Sequence, residues 1–401
     1  MRVALLSRAA HPLHPPGGLE RAVYHLAKHL GAQGVDTILL TRPATCDAAF
    51  PGEVVAVPYG GHPARHGRVL DRTLHYPRFA RRLGDAAAAL VAAGRVDVVH
   101  AQGLTALGYG RLRRRNPALR APLVMNPQGM EEHKTRGLKR LALSRLRRLS
   151  REAARLADRV IATDGATRQE VPRLLGVEPD RVVVLPNGID AEEIRDATPA
   201  QPERLIAERL PRLAGATPLL LSVGRLEGYK GFGDVFAALQ QLESGGALPG
   251  AWAWVVVGEG PERGALERSL GPLASHVCFA GVVPDALLHA LYEAAHVFVH
   301  ATRDEGSSLV TLEAMAHGRA VVATRAGGIP DKIVDGRTGR LVEPGDVEAL
   351  GRALRELIAD DGRRRALGES ARAFVLERFA WPGLAARTIA LYEELLRERR
   401  P

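Results

Sequence analysis

Residues 297–323 read VFVHATRDEGSSLVTLEAMAHGRAVVA. Val297–His300 and Ala320–Ala323 are short apolar runs of strand length, and between them Leu309, Leu312 and Ala316 recur at helical spacing. Ser307 stands where a helix N-cap is expected, and Gly318 where a left-handed residue ends one. The stretch is a strand–helix–strand unit. Its strands are apolar without alternation, the pattern of strands covered on both faces, which implies parallel pairing through helical crossovers. Working outward, the same kind of run recurs at Leu219–Val223, Trp254–Val257 and Val277–Phe279. An earlier set comprises Val3–Ser7, Thr37–Thr41, Val54–Val57, Asp97–His100, Leu123–Asn126, Val160–Thr163 and Val182–Leu185, with helix-like stretches such as Leu19–Leu30 between them.

The 401 residues exceed one ordinary core. Residues 191–216 hold Pro199, Pro202 and Pro211 and no strand-like run. The expected plan is therefore a first domain over 1–190, a connection with a short helix over 191–216, and a second domain over 217–380. Residues 381–401 form an amphipathic terminal helix carrying Leu384, Ile389, Leu391 and Leu395, which either docks locally or crosses back to the first domain. The fold class is α/β, two doubly wound domains facing a central cleft, with ligands beyond the carboxyl ends of the strands.

No run of about 18 apolar residues is present, which excludes an apolar spanning helix. Met1–Leu6 is too short an apolar run for a signal peptide and reads as a first strand. Cys46 and Cys278 stand far apart and outside any metal spacing, and no His/Cys/Asp cluster is spaced for a metal. A cytoplasmic setting and no metal are expected. Charge is unevenly spread: residues 1–190 hold 30 Lys/Arg against 16 Asp/Glu, and the remainder 25 against 29. A basic half of this kind suits nucleic acid, an anionic membrane or phosphorylated ligands.

Two segments carry the chemistry. In Glu305-Gly306-Ser307-Ser308-Leu309, a carboxylate precedes a helix start, and Glu313 follows about two turns in. The two acids are then separated by roughly 8–10 Å of axial rise, with the free N–H groups of the first turn between them. A nucleotide sugar has about that length, so one carboxylate would grip sugar hydroxyls and the other ribose, with phosphates over the helix start. Solvated surface glutamates are the competing reading, less natural for Glu313 inside an apolar run. In Ser222–Gly231, a strand delivers Arg225 and Lys230 to one glycine-containing loop, where two cations would neutralise a departing diphosphate. Lys230 is one of only five lysines beside 50 arginines. The turns Pro15–Arg21, Gly258–Pro261 and Gly327–Pro330 are glycine-rich but lack the dinucleotide-binding spacing.

These segments resemble the family-four retaining glycosyltransferases of the GT-B type, which consist of two Rossmann-like domains. The match is dense over 218–346, from the Gly224-Arg225-Leu226 and Lys230-Gly231 loop through Phe279-Ala280-Gly281-Val282-Val283, the two glutamates eight apart, and Gly327-Gly328-Ile329-Pro330. Gly17-Gly18, Asp97–Ala101 and Leu185–Asp190 fit less specifically. The resemblance implies that Arg225 and Lys230 hold the diphosphate, Glu305 the donor sugar and Glu313 the ribose. It places the base near Val282 and Val283, and Gly18 near the donor phosphates. It further implies front-face transfer from a UDP- or GDP-sugar without cofactor, the departing phosphate taking the acceptor's proton, so that catalysis rests on positioning and electrostatics. Two departures stand out. Ser307-Ser308 replaces the usual Phe-Gly, and Gln128 occupies the place of a common histidine. Gln128 can hydrogen-bond but cannot exchange a proton near neutral pH, so it orients the sugar, or His133 or His100 contributes.

Lys134–Arg155 holds nine basic residues, among them Lys139, Arg147, Arg148 and Arg151, against Glu152 alone. Ala142, Leu146, Leu149, Ala153 and Leu156 supply an apolar stripe. A solvated helix face explains this, as does docking to acidic lipid, worth about 1 kcal/mol per basic residue near the surface. The second reading suits a lipid-linked acceptor and a peripheral position at the inner face of the membrane. A GT-B phosphorylase or nucleotide-sugar epimerase is an alternative. A nucleic-acid-binding protein is another, opposed by scarce aromatics and a phosphate-type site in the acidic half.

Overall fold

A computed structural model describes residues 1–15, 17–60, 69–127, 130–135 and 137–399. The chain divides into two compact units, Met1–Asn187 together with Trp381–Pro401, and Gly188–Ala380.

The first unit is built on β1 (Arg2–Leu6), β2 (Asp36–Thr41), β3 (Glu53–Ala56), β4 (Val98–Gln102), β5 (Leu123–Asn126), β6 (Arg159–Ala162) and β7 (Val182–Val184). All pair parallel, in the order β3-β2-β1-β4-β5-β6-β7. Apart from the largely exposed edge strand β3, the unalternating strands are buried on both faces or nearly so, as parallel sheets require. The terminal helix Trp381–Glu398 completes one of those faces. Its Leu384, Leu391 and Leu395 join Val3, Leu26 and Val98 in one apolar cluster. The Trp381 ring stacks on His25 and His29.

The second unit is built on β8 (Leu219–Val223), β9 (Ala253–Val257), β10 (Val277–Gly281), β11 (Val297–His300), β12 (Ala320–Thr324) and β13 (Arg340–Val342). Again every pair is parallel, in the order β10-β9-β8-β11-β12-β13. β13 escapes the sequence reading because only two of its three residues, Leu341 and Val342, are apolar, too short a run to stand out. Residues 191–216 also differ from expectation: they are part of this unit's core. Asp190 caps the helix Ala191–Ala197 by accepting from the Glu192 and Glu193 amides, and the helix Pro202–Arg209 follows. Ile189, Ile206 and Leu213 pack with Leu219 and Leu291. Pro202 and Pro211 start helical segments there, so more than one short helix is present. Among the described residues no helix is long and apolar enough to cross a membrane.

Candidate functional site

In the second unit the strand order reverses between β8 and β11, which are hydrogen-bonded neighbours with crossovers leading to opposite sides. Loops at such a switch point diverge and leave a crevice at the carboxyl ends. The loop after β8 carries Arg225 and Lys230, and the loop after β11 carries Glu305. The two loops are tied together at their bases. The Arg303 amide and the Thr302 hydroxyl both donate to the Tyr229 carbonyl, at 2.6 and 3.0 Å. Gly231 sits at φ +72°, where a Cβ would lie 1.9 Å from the Ala301 oxygen, so only glycine allows this approach. The Gly258–Pro261 turn braces the other side, with the Leu226 amide donating to the Glu259 carbonyl at 3.0 Å.

Lys230 Nζ donates to Glu305 Oε2 at 2.6 Å, and His300 Nε2 meets the same oxygen at 2.8 Å. Both Lys230 and Glu305 side chains are only 14% exposed. Burial on its own would raise the Glu305 carboxyl. The His300 hydrogen bond and the charges of His300 and Lys230 outweigh it and hold the pKa at about 2. Glu305 is therefore a fixed carboxylate, and among the described residues no side chain bonds Oε1. Its backbone is held from the far side by the Gly327-Gly328 turn: the Gly328 amide donates to the Glu305 carbonyl at 3.3 Å. At Gly327, φ +51°, a Cβ would lie 1.7 Å from that carbonyl oxygen.

The helix Leu309–Ala316 begins one residue later than expected, with Ser308 in place of Ser307 at the N-cap and no side-chain cap bond. Ser308 Oγ is drawn inward, 2.9 Å from Thr311 Oγ1 and 3.5 Å from His300 Nε2. The first-turn amides are thus left without a side-chain cap, and the Ser307 hydroxyl is buried without a protein partner among the described residues. Gly306 is exposed and Leu309 half-buried. Glu313 is half-buried, and the fully buried Tyr292 donates to its Oε2 at 2.9 Å. Arg225 stands apart from the Lys230–Glu305 pair, with its guanidinium 75% exposed and ion-paired to Glu227. Val282, 80% exposed, follows the end of β10, while Val283 packs on the core.

His300 and Tyr292 were missed by the sequence reading, and the Gly327 turn was named there without its contact to Glu305. His300 left a signal, a polar residue closing an apolar strand five positions before Glu305.

In the first unit, Gly18 opens the helix Gly18–Ala32. His100 is not presented to solvent: it is buried, its Nδ1 is 2.6 Å from the Tyr392 hydroxyl, and burial pushes its imidazole down to about 4. This makes it a core residue of the first unit and removes it as an exposed acceptor contact. His133 lies in the short helix Glu131–Lys134 with its pKa lowered by burial, then raised by Glu132 and lowered by Arg151 and Arg147 to a smaller extent. Lys139 falls in the helix Gly137–Ala142, and Arg147, Arg148 and Arg151 in the helix Ser144–Leu156. Gln128 lies outside the described residues.

Comparison with known proteins agrees with this layout. The model described as Glycosyltransferase Family 4 matches residues 16–193, and that described as Glycosyl transferases group 1 matches 217–360. A D-inositol 3-phosphate glycosyltransferase of Acidothermus cellulolyticus is 30% identical over 100% of this chain and 91% of its own. Among solved structures, sucrose-phosphate synthase from Thermosynechococcus elongatus superposes with a TM-score of 0.77 at 22% identity, covering 99% of both chains. HepE from Anabaena, in complex with UDP-glucose, superposes at 0.70 with 20% identity, over 98% of this chain and all of that one. The chain belongs to the family-4 glycosyltransferases and has the GT-B fold of two Rossmann-like units.

Proposed function

We propose that this glycosyltransferase transfers a hexosyl-type sugar, with retention of configuration, from a uridine or guanosine diphosphate donor held at the β8–β11 switch point. The observation that carries the reading is the convergence there of Lys230, the fixed Glu305 carboxylate and the uncapped start of the helix Leu309–Ala316. In this arrangement Lys230, Arg225 and the first-turn amides of Ser308 and Leu309 take the diphosphate. Glu305 Oε1 accepts from the sugar hydroxyls, and Glu313 reaches the ribose. Val282 and Val283 flank the base.

The bond from the anomeric carbon to the phosphate oxygen breaks, the acceptor oxygen bonds that carbon on the same face, and the departing phosphate takes the acceptor's proton. Fixed cations and amides then supply the charge stabilisation without a metal or other cofactor. Gln128 orients the donor sugar. A uridine donor takes support from HepE, whose complex holds UDP-glucose. The test is thermal stabilisation by a panel of nucleotide sugars, followed by NMR of the product's anomeric centre. No stabilisation by any UDP- or GDP-sugar, or an inverted product, would overturn the reading.

The acceptor reading is a lipid-linked or cell-surface glycan precursor at the inner face of the membrane, and nucleic acid is not proposed as a partner. It rests on the excess of arginines around Arg147, Arg148 and Arg151. Binding to acidic vesicles should weaken as salt rises, because such fields decay within about 8 Å at physiological ionic strength. Equal co-sedimentation with acidic and neutral vesicles at low salt would refute it.

A further inference from the structure

A cavity of about 780 Å³ opens in the first unit, lined by Arg114, Arg140, Arg147, Arg148, Arg151 and Arg155, with Glu152 as its one carboxylate. Its geometry is not that of an ordinary solvated face. Arg147 and Arg148 precede Arg151 by four and three residues, and Arg155 follows it by four, on the helix Ser144–Leu156, so all three share a side with Arg151. Arg114, from the helix Ala106–Arg115, closes on them from a second element. The arginines converge on a hollow instead of fanning from a ridge.

The charge there is uncompensated. Both oxygens of Glu152 are taken by Arg111, at 2.8 and 2.6 Å, and among the described residues none of the six lining arginines is ion-paired to a carboxylate. Several are instead pinned from behind by backbone. Arg151 Nε donates to the Leu174 carbonyl at 2.8 Å, Arg155 Nε to that of Gly176 at 3.3 Å, and Arg147 Nη2 to that of Arg140 at 3.0 Å. Among the described residues Arg147 Nε is buried with no partner. Each pinned guanidinium keeps further donors, in a planar fork that matches phosphate oxygens two at a time. Gathering like charges in this way is unfavourable until an anion enters.

We infer that this cavity is a binding site for a phosphate-bearing group, a phosphomonoester or diphosphate, separate from the donor site of the second unit. Its size is that of a small-ligand pocket. It stands independently of the donor reading, and a lipid headgroup and a soluble phosphorylated compound share the chemistry.

The test is calorimetric titration of the full chain with inorganic pyrophosphate at low salt, on wild type, Lys230→Ala and the double variant Arg148→Ser/Arg151→Ser. Both arginines are exposed, so the fold should survive, with a circular dichroism melt as the check. A binding event should persist in Lys230→Ala and weaken roughly tenfold or more in the serine variant, as two charged hydrogen-bonding groups are lost. Arg148→Lys/Arg151→Lys keeps the charge but lacks the forks and should also bind several-fold more weakly. Unchanged affinity in the serine variant overturns the site, and so does equal affinity in the lysine variant, which would leave only a diffuse field. Loss of all pyrophosphate binding in Lys230→Ala overturns it too, while leaving the donor reading in place. The source is separated by vesicles of phosphatidylglycerol against phosphatidylcholine. Arginine-dependent preference for the former assigns a lipid headgroup, and pyrophosphate binding without that preference assigns a soluble ligand; both outcomes uphold the site.

Discussion

Lys230→Met removes the ammonium and keeps most of the aliphatic stem, which isolates the charge beside Glu305. Glu305 falls from an ordinary 4.5 to about 2 in the folded chain. That difference is worth about 3 kcal/mol of stability, shared between His300 and Lys230. The loss expected at pH 7 is therefore about 1.5 kcal/mol, the lower end for a charged hydrogen bond. Its pH dependence is the diagnostic. A depressed carboxyl contributes stability that is full above the unfolded value of 4.5 and is lost as pH falls through the folded value near 2. The gap between wild type and variant should be constant from pH 7 to about 5 and close from there toward pH 2. The assay is urea unfolding followed by tryptophan fluorescence, since Trp252 and Trp254 are buried in the second unit. In a Glu305→Gln background the same Lys230 substitution should cost markedly less, because its partner charge is gone. A gap unchanged at pH 3, or an undiminished cost in the glutamine background, would refute the pairing as the source of the low pKa.

Arg225→Ala should weaken nucleoside diphosphate affinity by about 1.5–3 kcal/mol and leave unfolding stability nearly unchanged, since the side chain is 75% exposed; calorimetry with UDP and GDP checks both. Glu305→Gln should lower turnover far more than diphosphate affinity, whereas Glu313→Ala should weaken the bare nucleotide, and equal losses would reverse the assignment of sugar and ribose ends. Gly327→Ala forces a Cβ onto the Glu305 carbonyl at a positive φ and should cost roughly 2 kcal/mol or more, with turnover falling in a correctly folded variant; wild-type kinetics would show that the turn does not position Glu305. Gln128→Ala should lower the initial rate while Gln128→His keeps measurable activity, and a full rate in the alanine variant would retire its role in orienting sugar.

Two histidines show where sequence reading succeeds and where it stops. His100 and His300 each sit in a short apolar strand of a parallel sheet, and the pattern of apolar residues treats them alike. The strands themselves were legible because parallel strands buried on both faces must be continuously apolar. The Glu305–Glu313 pair was legible because helical rise converts spacing directly into distance. His300 differs from His100 only through its neighbours. Glu305 is five positions away and was within local reach, but the second contact on the same carboxylate oxygen comes from Lys230, 75 positions earlier. For His100 the deciding partner is Tyr392, 292 positions later, on a helix whose docking side the sequence left open. The same reason hid the role of Gly327, where a Cβ would clash with the Glu305 backbone oxygen, 22 positions earlier and across one helix and one strand. Local periodicity thus places the two glutamates, while the groups that fix their charge and angle come from contacts made only when parallel strands bring distant loops to one edge. The two glutamates are written in nine residues, and the pKa of the first is set by His300 beside it and by Lys230, 75 positions earlier.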